Sequence, residues 1–248
     1  MIRRRPGLTV QRLAVGYQSP GCQTARGLRH LRIKICGITR VEDALAAACL
    51  GADAIGLNFH PPSPRYADPV AAGEILSRLP PFVDAVGVFV NRSLPEMIAA
   101  VEPLGRIGTL QWHGDASLRE VPAAGSYRLI SAFPLHDQTG LREVAAYLEL
   151  CRARGRLPDA VLLDGQHAGQ YGGTGMKAPW EALVGLETDV PVILAGGLNA
   201  DNVAEAVRLV KPYAVDVASG VEGSPGHKDP KKLRRFIERA REAAVKYL

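Results

Sequence analysis

Two residues stand out as a pair able to move protons. Cys36 closes a β-branched run, Arg32-Ile33-Lys34-Ile35-Cys36, and is followed at once by the turn residue Gly37. Asp164 closes another such run, Ala160-Val161-Leu162-Leu163-Asp164. A thiolate is a base as well as a nucleophile, and a carboxyl that keeps its proton is an acid. One of each, facing each other across a pocket, is the minimum for shifting a proton between neighbouring carbons. Lys34 shares a strand face with Cys36, and its ammonium favours the thiolate, so the thiol pKa is expected to fall towards neutrality. Asp164, to donate near neutral pH, is expected above its free value of ~3.9 through desolvation under a loop at 165–178. Cys49 and Cys151 lie within helical stretches and read as small buried hydrophobes.

A second chemistry is anion binding. Ala195-Gly196-Gly197-Leu198 and Ala218-Ser219-Gly220-Val221-Glu222 each follow a short apolar strand. Glycine lets backbone N–H groups approach a phosphate closely, and a following helix N-terminus adds about half a positive charge. One glycine pair is an ordinary tight turn; two in consecutive loops point to a phosphate held by Gly196, Gly197, Ser219 and Gly220. A third cluster, Gly172-Gly173-Thr174-Gly175, has the composition of a loop that wraps a ligand.

These residues need a frame that brings strand ends together. From residue 31 onward, strand-like runs at 32–36, 54–58, 85–90, 107–111, 127–132, 160–164, 191–195 and 214–218 alternate with helical stretches. The helices fall near 41–50, 69–79, 94–102, 117–121, 140–153, 179–186, 200–210 and 229–246, the fourth being about one turn long. Ser93, Asn199 and Asp229 supply N-caps. Eight strand–helix units imply parallel strands joined by right-handed crossovers, closed into an α/β, (β/α)8 TIM barrel. A doubly wound sheet opens with a glycine-rich turn after its first strand, which Cys36-Gly37-Ile38-Thr39 is not. Strand parity then points Lys34, Cys36, Asn58, Gln111, Asp164 and Asp216 inward near the carboxyl ends, where barrels place their chemistry.

Charge narrows the partners. The chain carries 30 basic and 25 acidic side chains, a net charge of +5. Six arginines and no acidic residue fall within residues 1–30, which leaves 24 basic against 25 acidic over the other 218, a net of −1. The body has no basic excess to grip nucleic acid, and no apolar run approaches the ~18–20 residues of a membrane span. Four cysteines without a CxxC pair suggest neither zinc nor a disulfide framework, and a cytoplasmic setting follows. Residues 1–30 suit an organelle transit peptide in composition, but Pro6, Gly7, Gly16, Pro20, Gly21 and Gly27 interrupt any amphipathic helix. They are expected to be a disordered basic extension, with residues 31–248 as the barrel domain.

The residues also carry a resemblance. Lys34-Ile35-Cys36-Gly37-Ile38-Thr39, Ser63-Pro64-Arg65-Tyr66, Gly87-Val88-Phe89-Val90-Asn91, Gln111-Trp112-His113-Gly114, Gly172-Gly173-Thr174-Gly175, Ala195-Gly196-Gly197-Leu198-Asn199 and the segment from Val215 to Glu222 resemble the phosphoribosylanthranilate isomerases. The likeness runs in order from about residue 31 to the end. It implies an aldose–ketose isomerisation in tryptophan biosynthesis, with neither metal nor organic cofactor. It further implies Cys36 as general base, Asp164 as general acid and Arg65 on the anthranilate carboxylate. Gly173, Gly196, Gly197, Ser219 and Gly220 would bind substrate, with Lys34, His113 and Asp216 as supporting residues. The partner implied is a small phosphorylated molecule, the protein being a monomer or homodimer. Where many relatives have lysine directly after Gly-Gly-Thr-Gly, this chain has Met176 and then Lys177. Two other readings are a histidine-pathway phosphosugar isomerase and a catalytically silent phosphate-binding barrel. The first lacks a glycine-rich loop after the third strand, where Asn91-Arg92-Ser93 stands; the second does not account for Cys36 and Asp164 together.

Overall fold

The computed structural model describes residues 30–114, 125–135, 138–165, 180–183 and 188–245. Eight parallel strands close into a barrel in sequence order: β1 (Arg32–Cys36), β2 (Ala54–Asn58), β3 (Asp84–Val90), β4 (Ile107–His113), β5 (Arg128–Pro134), β6 (Ala160–Asp164), β7 (Val192–Ala195) and β8 (Ala214–Val217). Closure is made by β1 against β8, with Lys34 beside Asp216. The expected (β/α)8 barrel is the observed fold, and the open doubly wound sheet is excluded by that closing ladder.

Around the strands lie α1 (Val41–Cys49), α2 (Pro69–Arg78), α3 (Leu94–Val101), α4 (Gln138–Ala153), α5 (Val203–Val210) and α6 (Pro230–Val245). Local chemistry explains several starts. Asp68 accepts from the N–H groups of Val70 and Ala71, with Pro69 at the first position of α2. Ser93 N–H donates to Glu96 Oε2 at 2.8 Å, the return half of a capping box. Asp229 Oδ1 accepts from Lys231 and Lys232 and opens α6, whose Leu233, Phe236, Ile237, Ala240 and Ala243 form one buried stripe.

Three helical expectations fare differently. Asn199 does cap, accepting from Asp201 and Asn202, but it caps a turn, and α5 begins only at Val203. The stretch at 179–186 appears, among the described residues, as a short 3-10 turn, Trp180–Leu183. The helix expected at 117–121 lies outside the described residues.

Strand parity separates two apolar layers. Ile33, Ile35, Ile55, Leu57, Leu110, Val161, Leu163, Leu194, Val215 and Val217 face the helices and join the main core. Val86, Ile130, Ala132, Ala160, Leu162, Ile193, Ala195 and Ala214 form a separate cluster inside the barrel. That inner plug is apolar, and four of its eight residues are alanine. Beyond β8 the chain adds a 3-10 turn (Ser219–Val221) and a hairpin of β9 (Glu222–Ser224) and β10 (His227–Lys228).

Candidate active site

β1 delivers Lys34 and Cys36 to the same face of the strand. The Lys34 ammonium is buried and lies 3.0 and 2.9 Å from the two carboxylate oxygens of Asp216 on β8. Gly56, the register partner of Cys36 on β2, makes room for both side chains. A Cβ at Gly56 would stand 2.8 Å from Cys36 Sγ and 3.1 Å from Lys34 Nζ. Thiol and ammonium therefore share one small space, which is why glycine occupies β2 there.

The electrostatics correct one expectation. Burial pushes the Cys36 thiol up; Lys34 and Lys228 pull it down, Asp216 pushes it up again, and the net is a raised pKa. Burial is the largest of these effects, and Lys34, already paired with Asp216, does not overcome it. Burial also works against the Lys34 ammonium, but Asp216 and Cys36 outweigh it and hold the lysine charged. The thiol is thus a half-buried group that holds its proton more tightly than a free cysteine.

Asp164 ends β6, half-buried, with its backbone carbonyl accepting from Leu135 at 2.7 Å. β6 lies three strand steps from β1 through β7 and β8, and five the other way, so acid and base candidates stand on different sides of the lumen. Gln111 and His113 project from the end of β4, their Nε2 atoms 2.6 Å apart. That separation is short for nitrogen to nitrogen and suits an amide oxygen accepting from the imidazole N–H instead. In either orientation one polar end of the buried Gln111 amide faces the lumen; as placed, its Oε1 has no partner.

Arg65 sits in a prepared loop after β2. Asn58 Nδ2 donates to Ser63 Oγ, and that hydroxyl also accepts from Arg65 N–H. Gly37, at φ +71°, leaves the volume that the arginine stem fills, since a Cβ there would fall 2.6 Å from Arg65 Cδ. The guanidinium pairs with Glu222 through two bonds, Nε to Oε1 at 2.8 Å and Nη2 to Oε2 at 2.7 Å. Lys228 Nζ donates to the same Oε1 at 2.8 Å and to the Ala218 carbonyl at 3.0 Å. Burial raises the Glu222 carboxyl, but Arg65 and Lys228 outweigh it and hold its pKa below the usual range.

The two glycine loops after β7 and β8 meet. Gly220 packs so tightly on the first loop that a Cβ would lie 1.9 Å from the Leu198 carbonyl oxygen. Gly196 and Gly197 both take left-handed backbone, φ 86° and 64°, and the space beside the Gly197 Cα is open. Asn202 fastens the loop from behind, its Nδ2 donating to the Gly197 carbonyl at 2.9 Å. Ser219 begins the 3-10 turn that follows β8.

So Cys36, Arg65, His113, Asp164, Gly196, Gly197, Ser219 and Gly220 lie at or beyond the carboxyl ends of the strands, with the Lys34–Asp216 pair within β1 and β8 below them. Gly173 lies outside the described residues, as do Met176 and Lys177. Residue-by-residue reading missed Gly56, Glu222 as the arginine's counter-charge, and Lys228. Nothing in Gly226-His227-Lys228-Asp229 marks the lysine as buried, because its partners are set by the hairpin beyond β8. Cys49 is a further correction: it is exposed on the outer face of α1, whereas Cys151 on α4 is fully buried as expected.

Fold and face together define a (β/α)8 barrel with a thiol, a lysine and carboxylates inside and glycine loops at the rim. A profile of the family described as N-(5'phosphoribosyl)anthranilate (PRA) isomerase matches residues 33–239. The N-(5'-phosphoribosyl)anthranilate isomerase of Geobacter metallireducens is 46% identical over 211 residues, 85% of this chain and 99% of the relative. A crystal structure of phosphoribosyl anthranilate isomerase from Thermotoga maritima superposes with a TM-score of 0.76 at 35% identity, over 86% of this chain and all of that one. Another, in complex with reduced 1-(o-carboxyphenylamino)-1-deoxyribulose 5-phosphate, gives 0.73 at 33% identity, over 86% and 100% of the two chains. The chain belongs to the N-(5'-phosphoribosyl)anthranilate isomerase family.

Proposed function

We propose that this protein converts N-(5-phosphoribosyl)anthranilate to 1-(2-carboxyphenylamino)-1-deoxyribulose 5-phosphate, a step of tryptophan biosynthesis. The observation that carries the reading is the joint presence of Cys36 and Asp164 on opposing strand ends with the two glycine loops beside them. Asp164 protonates the ribose ring oxygen, and the C1–O bond breaks as the anilino nitrogen forms a C=N bond. Cys36 removes the proton from C2, and the electrons flow back to nitrogen to give an enolamine. Cys36 returns its proton to C1 while the C2 hydroxyl of the enol gives up its own to the Asp164 carboxylate, so the C2 ketone forms and both groups regain their starting protonation. The reaction is an isomerisation, so hydrogen is redistributed and nothing is oxidised overall.

Each remaining group has a task. Arg65 holds the anthranilate carboxylate, which its planar fork suits. Gly196, Gly197, Ser219 and Gly220 hold the phosphate, and Gly173 is a further substrate-binding residue. Lys34, charged and tied to Asp216, stabilises the thiolate once Cys36 loses its proton, and His113 contacts the sugar from β4. The protein acts in the reducing cytoplasm as a monomer or homodimer, on a small phosphorylated substrate; among the described residues no helix is long and apolar enough to cross a membrane. The test is a steady-state assay of the purified chain with phosphoribosylanthranilate. Turnover to the ketose is expected, and absence of turnover by folded protein would sink the reading.

A further inference from the structure

Among the described residues, the reaction above leaves one buried cation without a task. Lys228, on β10 of the hairpin beyond β8, has a side chain with no exposed surface. An ammonium tolerates such burial only where acceptors and opposite charge surround it. Two surround this one: Glu222 Oε1 at 2.8 Å and the Ala218 carbonyl at 3.0 Å. Its backbone N–H donates to Asp43 Oδ2 at 3.0 Å, which fastens the hairpin to α1. Burial lowers the Lys228 pKa, with Glu222 and Cys36 opposing, so the lysine depends on its carboxylate partner for its charge.

The geometry of Glu222 turns this packing detail into a device. A carboxylate held only by Arg65 is free to swing with that long side chain. Here Lys228 pins Oε1 from behind, so the two bonds from Glu222 to Nε and Nη2 fix the plane in which the guanidinium lies. Gly37 walls the arginine stem on another side. We infer that Lys228 is a positioning residue which, through Glu222, aims Arg65 and so sets the preference for an aryl amine that carries an ortho carboxylate. The inference rests on Arg65 receiving that carboxylate, as proposed above.

The experiment compares two stable probes on the full chain: the reduced product, and the same molecule without its carboxylate. Lys228→Met should weaken the carboxylated probe about tenfold or more, and the other less than threefold. KM for the natural substrate should rise in parallel, and by a larger factor than any fall in kcat through the loss of the Lys228 charge near Cys36. Lys228→Arg should restore most of the lost discrimination. The double variant Glu222→Gln/Lys228→Met, which removes both members of the fully buried pair and leaves Arg65 against a neutral amide oxygen, should fold and show the same loss. In an Arg65→Met background, Lys228→Met should have no further effect on either probe. Equal weakening of both probes, additivity with Arg65→Met, or unchanged discrimination overturns the inference. Wild-type protein that fails to turn over phosphoribosylanthranilate removes the functional reading itself, a distinct result.

Discussion

Cys36 illustrates how a neighbouring charge can be present and still insufficient. The Lys34 ammonium shares its space, yet Asp216 takes up that charge and burial keeps the thiol protonated. Alkylation of the free protein by iodoacetamide should therefore be slow at neutral pH. Its rate should rise with an apparent pKa above the ~8.5 of a free thiol. Lys34→Met should push that midpoint further up, and a midpoint near 7 in the wild type would refute the account. Removing one partner of a buried ion pair costs about 3–5 kcal/mol, so Lys34→Met should also lower Tm, whereas Lys34→Met/Asp216→Leu should recover part of the loss. Catalysis is a separate measurement. Cys36→Ser and Asp164→Asn should each lower kcat by roughly 10²–10⁴-fold, the range for a lost general base or acid, with little change in KM. Near-normal kcat in Cys36→Ser would exclude the thiol as the base.

Glu222 adds a pH dependence at the same scale. Its pKa is lower in the folded chain than in the unfolded one, so the folded state binds fewer protons there. The stability contributed by the Arg65–Glu222–Lys228 group is complete above the unfolded glutamate value of ~4.3, and is lost as pH falls through the lower folded value. Thermal melts from pH 6 to pH 3 should show Tm dropping more steeply in the wild type than in Glu222→Gln/Lys228→Met. Parallel curves would show that this carboxylate contributes nothing to acid stability.

At the scale of elements, the loops after β7 and β8 work as one unit because their backbones touch. Gly220→Ala puts a Cβ 1.9 Å from the Leu198 carbonyl oxygen, and no rotamer relieves a clash with backbone. The loops must part, so both a lower Tm and a higher KM are expected. Gly197→Asp differs in kind. The position is open, so the clash is absent and the cost is the left-handed φ of 64°, while the added carboxylate brings a like charge to the proposed phosphate site. KM should rise strongly in a protein that still folds, and unchanged kinetics would remove this loop from the site.

For the whole molecule, the basic segment before residue 30 is proposed to lie outside the barrel domain. His30 already sits against α6, its Nε2 2.7 Å from Arg241 Nη1, and Arg241 Nη2 pairs with Asp53 at 2.7 Å. Deleting residues 1–29 while keeping His30 should leave kcat/KM unchanged and Tm within about 1–2 °C. A fall of several degrees would show that the segment packs on the body. The net charge near zero of residues 31–248 also predicts that retention on a cation-exchange column disappears with the same deletion.

The local order was legible along the chain because its signals are local. Apolar runs of four to seven residues, caps such as Asp229, and the stripe from Leu233 to Ala243 depend on neighbours within one or two turns. Eight such units in a row permit little besides a barrel, and strand parity followed, with Lys34 and Cys36 inward and Ile33 and Ile35 outward. The family likeness rested on motifs equally local in sequence. What tertiary structure alone decided are relations between residues far apart in the chain. Lys34 and Asp216 are 182 positions apart and meet only because β1 closes on β8. Arg65 and Glu222, 157 apart, meet because a hairpin folds over the loop after β2. Whether a charge is free or spent, and hence whether Cys36 is thiol or thiolate, is set by such meetings and by burial. Neither quantity is a property of a residue or its neighbours in sequence; both arise from the summed field and solvent exclusion of the closed barrel.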